Sequence, residues 1–140
     1  MLFRSRISGP MLDRMDLHVE VPPVDYDTLN SNSNEETSAQ IRERVNKARI
    51  IQQKRYEGTG ISCNARLTPK LAKIYCKMTE GAEKYLSMSF DNLDLSARAY
   101  DRILKVARTV ADLEGAEVID KKHIFTAISF RSLDRKYWGV

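Results

Sequence analysis

The sequence predicts a mainly α-helical fold, a bundle of helices preceded by one strand. Three observations carry this. From residue 38 onward, apolar side chains recur at three- and four-residue spacing. Hydroxyl or carboxylate residues that cap helices stand before most of these runs. One segment alone, Leu17 to Val21, alternates with a period of two. At 140 residues, 42% hydrophobic and 30% charged, the composition suits a single ordinary globular domain.

In "LHVEVPPV", apolar Leu17, Val19 and Val21 alternate with His18 and Glu20, and Pro22-Pro23 ends the pattern. A lone strand leaves its backbone groups unpaired, so its partners are expected in another chain or in additional sequence of a longer parent. Residues 25–37, "DYDTLNSNSNEET", are polar and read as a linker. The next stretch, "SAQIRERVNKARIIQQKRYEG", places Ile41, Val45, Ala48 and Gln52 on one helical face, with Ser38 as N-cap and Gly58 as the stop. A short helix starts at Thr68-Pro69, where a capping hydroxyl precedes a proline at the first helical position, and turns Leu71, Ile74 and Tyr75 inward. Another runs from about Thr79 to Phe90 with Ala82, Tyr85, Leu86 and Phe90 facing the core. In "LSARAYDRILKVARTVADLEG", Ser96 caps a helix whose stripe is Ala99, Ile103, Val106 or Ala107, and Val110, and which Gly115 ends. A last helix starts at Asp120 and buries Ile124, Ala127 and Ile128.

Much chemistry is excluded. No apolar run approaches the ~18 residues that span a bilayer, and no signal-peptide core is present, so a cytoplasmic location is the default. Cys63 and Cys76 form neither a zinc site nor a disulfide framework, and His18 and His123 have no metal-spaced companion. There is no phosphate-binding G-x-x-x-x-G-K-[ST] loop, no G-x-S-x-G and no H-E-x-x-H. Asp13 and Asp16 suit the orientation of arginines better than the sharing of a catalytic proton.

The arginines are more informative. A guanidinium is a permanently charged planar fork, suited to the charge that builds on a phosphoryl group in transfer. Arg14, flanked by Asp13 and Asp16 just before the strand, is a candidate to complete a neighbouring subunit's site; an ion pair with one of those aspartates is the alternative. Arg98 falls in the first turn of the Ser96 helix, where the free N–H groups and helix dipole favour an anion. Pairing with Asp94 or Asp101 is its alternative. Arg102, one turn on, is a secondary candidate. The net charge of +4 and the basic run Arg42, Arg44, Lys47, Arg49, Lys54 and Arg55 fit either contact with nucleic-acid backbone or a solvated basic face.

The segments "RISGPMLDRMDLHVEV", "SAQIRERVNKARIIQQKRY", "CNARL" and "LSARAYDRILKVARTVADLEG...I...HI..AISFR" together resemble the C-terminal part of the magnesium-chelatase-related AAA+ ATPases of the ComM (YifB) type. The resemblance covers essentially the whole chain. Phe3, Met11 and Met15 stand where the family usually has Tyr, Leu and Ile. It implies that residues 1–24 are the end of the ATPase core, 25–37 a linker and 38–140 the C-terminal helical lid. Arg14 then matches the arginine finger, acting in trans on the next subunit's ATP, and Arg98 the sensor-2 arginine, acting in cis. ATP and Mg2+ would serve the intact protein, in a ring of identical subunits, a hexamer, moving DNA during natural transformation. With the Walker A and B elements lying upstream, this stretch alone is expected neither to hydrolyse ATP nor to bind it tightly. The alternatives are a chelatase-like motor that remodels a protein partner, and a free-standing helical adaptor.

Overall fold

A computed structural model of the chain describes residues 9–12, 14–19, 21–23, 26 and 35–131. The described part is helical, as expected, with five main helices: α1 (Ser38–Arg55), α2 (Pro69–Tyr75), α3 (Glu80–Asn92), α4 (Ala97–Leu113) and α5 (Lys121–Ser129). A single helical turn, Gly9–Leu12, precedes them, and a 3-10 turn, Asn64–Arg66, lies between α1 and α2. Each helix begins where a side chain takes over an orphan backbone N–H. Thr68, Thr79 and Ser96 accept from the N–H groups of Leu71, Ala82 and Ala99, and Asp120 starts α5. At α1 the cap is Thr37 rather than the expected Ser38, because Gln40 reaches back to the Thr37 N–H at 2.8 Å and completes a capping box. At the far end of α4, Gly115 takes φ +70, and the N–H of Ala116 reaches back to the Ala111 carbonyl at 2.8 Å. That geometry needs a residue without a Cβ penalty.

Helix α4 is the hub. On it pack α1, the 3-10 turn, α2 and α5, while α3 packs on α5. The shared core comprises Leu67, Ala72 and Cys76 from the α2 region, Ala82 and Leu86 from α3, Ile103, Leu104, Ala107 and Ala111 from α4, and Ile119, Ile124 and Ala127 around α5. Small alanines on facing helices let the backbones approach closely, and Tyr56 and Tyr75 fill the gap beside them edge to face, ring centres 5.2 Å apart. The loops before α3 and α5 are stitched by an isolated parallel bridge, Ile119 N–H to Lys77 O at 2.9 Å and Thr79 N–H to Ile119 O at 3.0 Å.

The expected strand is absent among the described residues. Positions 17–19 and 21–23 have no ladder partner, because no second described segment is extended beside them. The orientation also departs from the alternation: His18 is 5% exposed, whereas Leu17 and Val19 are 50% and 64% exposed. His18 is held by its N–H donating to Phe130 O at 2.6 Å. Most of the linker expected at 25–37, and residues 132–140, lie outside the described residues.

Candidate functional site

The site is assembled around the first two turns of α4. Ser96 caps the helix, so its remaining free N–H groups and the positive end of its dipole face outward. Arg98 occupies the first turn with an exposed side chain, and Arg102 follows one turn later on the same face. Arg102 does not point into solvent alone. One of its terminal nitrogens pairs with the Asp16 carboxylate, while its Nε is buried without a hydrogen-bond partner. Asp16 therefore serves Arg102 rather than Arg14.

That pair helps hold residues 15–18 against the bundle. The buried Arg131 guanidinium, just past α5, donates to the Met15 carbonyl at 3.0 Å. Phe130 accepts from the His18 N–H. The chain before the clasp turns tightly, with the Arg14 N–H donating to Met11 O at 3.1 Å. Arg14 itself is exposed, and its side chain makes no hydrogen bond or ion pair with another described residue. The fold thus brings the Arg14 turn within two residues of a side chain bonded to Arg102. It places Arg98 one turn away on the same helix.

A second polar cluster lies at the other end of α4. Asp112, fully buried, accepts from Arg55 Nη1 at 2.9 Å and Nη2 at 2.5 Å, from Arg108 Nε at 3.1 Å, and from Asn64 Nδ2 at 2.9 Å. Arg108 spends its remaining donors on the carbonyls of Ala116 and Glu117. Asn64 accepts from Tyr56 Oη at 2.6 Å, and its N–H donates to Gln52 Oε1 at 3.0 Å. Burial pulls the Arg108 guanidinium below its ordinary value and Asp112 opposes that pull, while the bond to Asp112 holds Arg55 above its ordinary value. The bonds converge on the Asp112 carboxylate, so the cluster ties α1 and the 3-10 turn to α4. Sequence reading missed it, although Arg108 and Asp112 stand at the i, i+4 spacing of a helical ion pair.

Other candidates resolve into structure. His123 is buried; its Nδ1 accepts from the Asp120 N–H at 2.8 Å and its Nε2 faces Glu114 at 3.1 Å, so it is a capping residue. Burial pushes the Cys76 thiol up to about 11. Among the described residues no group of three or more His, Cys, Asp or Glu side chains could hold a metal ion. None of the helices is long and apolar enough to cross a membrane, among the described residues. A largely apolar groove of about 550 Å³ runs beside the α4 N-terminus, lined by Met78, Leu86, Phe90, Ala97 and Tyr100.

Residues 35–131 match the family described as magnesium chelatase, subunit ChlI C-terminal. Over 136 residues the chain is 42% identical to the competence protein ComM of Haemophilus influenzae, covering 96% of this chain and 26% of that protein. It is 37% identical over 134 residues to the uncharacterized protein YifB of Escherichia coli, with 95% and 26% covered. An uncharacterized protein of Mycobacterium tuberculosis is 33% identical over 129 residues, with 92% and 25% covered. The chain spans about a quarter of the length of these curated relatives.

Proposed function

We propose a phosphate-sensing role for this chain, which belongs to the magnesium chelatase subunit ChlI C-terminal family. In the intact protein it supplies Arg14 as an arginine finger acting in trans, and Arg98 as a sensor-2 arginine acting in cis, within a ring, a hexamer, of identical ATPase subunits. The observation that supports this most is the clasp: Asp16, two residues from Arg14, is bonded to Arg102, one turn from Arg98.

The residues suit an anion. Arg98 adds a fixed charge where the α4 dipole and its free N–H groups already favour a phosphate. Arg102 keeps a buried Nε with unspent hydrogen-bonding capacity. Arg14, unpaired among the described residues and carried on a turn anchored from behind, can reach outward without first breaking an ion pair. In the intact protein ATP would supply the phosphoryl group that passes to water, and Mg2+ would offset charge on its phosphate oxygens. The chain's contribution is charge placed against the developing negative charge, with lid position tied to the finger through Asp16.

For the work done by the ring we favour DNA movement, in keeping with the competence protein among the relatives. A chelatase-like motor acting on a protein partner is the second reading, which the family match supports. ATP hydrolysis by the intact protein, with and without forked DNA, separates them. Stimulation by DNA that Arg14→Ala abolishes, with ATP binding retained, supports the DNA motor and its finger. Turnover indifferent to DNA favours the protein-remodelling reading, and normal turnover in Arg14→Ala removes Arg14 from the site.

A further inference from the structure

Charge is divided unevenly along the helical part of the chain. Residues 38–77 hold ten Lys or Arg against two Glu, a balance of +8, whereas residues 80–131 hold eight Lys or Arg against nine Asp or Glu, a balance of −1. The packing turns this division in sequence into one in space. Helix α1, the 3-10 turn and α2 all rest on α4, whereas α3 rests on α5. A basic layer therefore covers one part of the hub.

Within that layer, α1 buries only Ala48 and Gln52. Arg42, Asn46, Arg49 and Gln53 follow one another at four-, three- and four-residue steps and form a single exposed row, roughly a third of a turn from the buried edge. Arg44 and Lys47 on neighbouring positions are taken up by Glu36 and Glu43, each at 2.8 Å. Arg42 and Arg49 have no ion pair among the described residues, nor do the exposed Lys54, Arg66, Lys70 and Lys73. The two arginines stand about 10 Å apart along the helix, so one face presents two guanidinium groups side by side to a phosphate backbone. Asn46 and Gln53 fill the intervals with neutral groups that hydrogen-bond phosphate and sugar oxygens.

We infer that this face binds the phosphate backbone of double-stranded nucleic acid. The choice of partner rests on the DNA reading above; the location rests on the charge layout. A membrane surface fits less well. Ile41 and Ile50, 42% and 63% exposed, are nine residues apart and so face opposite sides of α1, which leaves no apolar stripe to insert.

The test measures fluorescence anisotropy of a labelled mixed-sequence duplex against the full chain, without nucleotide, over a series of salt concentrations. Arg42→Gln/Arg49→Gln is compared with the unaltered chain and with Lys84→Gln/Lys121→Gln from the neutral side, all checked for equal thermal melting. The arginine variant is expected to flatten the slope of log affinity against log salt by about 1.8, roughly 0.9 for each phosphate no longer neutralised, with the lysine control unchanged. An unchanged slope in the arginine variant overturns the inference, as does binding to phosphatidylserine vesicles without binding to duplex. A flattened slope in a protein whose hydrolysis ignores DNA leaves this surface standing while the motor reading falls.

Discussion

Helix α4 carries two groups of arginine chemistry, and they differ in how deeply they are buried. At its C-terminal half, Arg108 is fully buried and, with Arg55 and Asn64, saturates Asp112. At its N-terminal turns, Arg98 is exposed and Arg102 holds a partly exposed Asp16 while keeping one buried nitrogen without a partner. Both groups look alike as letters in a sequence. The first is fixed by neighbours on three elements and works as a rivet; the second lies at the surface, with Arg98 exposed and Arg102 partly so.

The largest effect should come from Arg14, on the turn held beside the N-terminal group through Asp16. On the proposed arginine-finger role, Arg14→Ala is expected to lower ATP turnover of the intact protein about a thousandfold or more, with the melting temperature of the chain unchanged. Steady-state hydrolysis and thermal melts on the same preparation check both halves. The rivet should show the converse. Asp112→Ala strands the buried Arg108 guanidinium and the half-buried Arg55, and is expected to cost about 3–5 kcal/mol of stability, read in denaturant unfolding. A loss below about 1 kcal/mol there would erase the contrast.

Smaller effects sharpen it. A double-mutant cycle between Asp16→Asn and Arg102→Gln should give a coupling of at most about 1 kcal/mol, because the Asp16 side chain is 56% exposed and solvent screens the pair. The smallest effect concerns Glu114, whose carboxyl is held below its ordinary value by bonds to Lys122 and His123. A depressed folded-state value means stability that is present above the ordinary carboxylate range and lost as pH falls through the folded value. With that side chain 42% exposed, the loss should be a few tenths of a kcal/mol between about pH 5 and 3, absent in Glu114→Gln.

Much of this is legible in the sequence. Thr68, Thr79, Ser96 and Asp120 mark helix starts because capping is a local event, decided within one turn. Arg14, Arg98 and Arg102 stand out by position. The stripe on α4 is only half right. Ala99, Ile103 and Ala107 are buried, but the face continues through Ala111 with Leu104, Arg108 and Asp112 beside it, while Val106 and Val110 are half-buried. Charged letters read as solvent-facing, and their burial depends on Arg55 and Asn64, which are 57 and 48 residues away from Asp112. Ile41 and Ile74 fail for a related reason: they sit on helical stripes, yet remain 42% and 51% exposed. The clasp is invisible in the sequence, since nothing local pairs Met15 with Arg131.

The clasp also orders events in time. The side-chain bonds that tie the helices of the bundle together span at most 57 residues, whereas the bonds of Asp16 and Met15 span 86 and 116 residues. Contacts that close such long loops form late in folding and, having few buried apolar partners, reopen first. The turn that carries Arg14 is thus the last part of the described chain to lock and the first to let go. A bundle already complete can hold or release Arg14 without unfolding, on a timescale faster than its own.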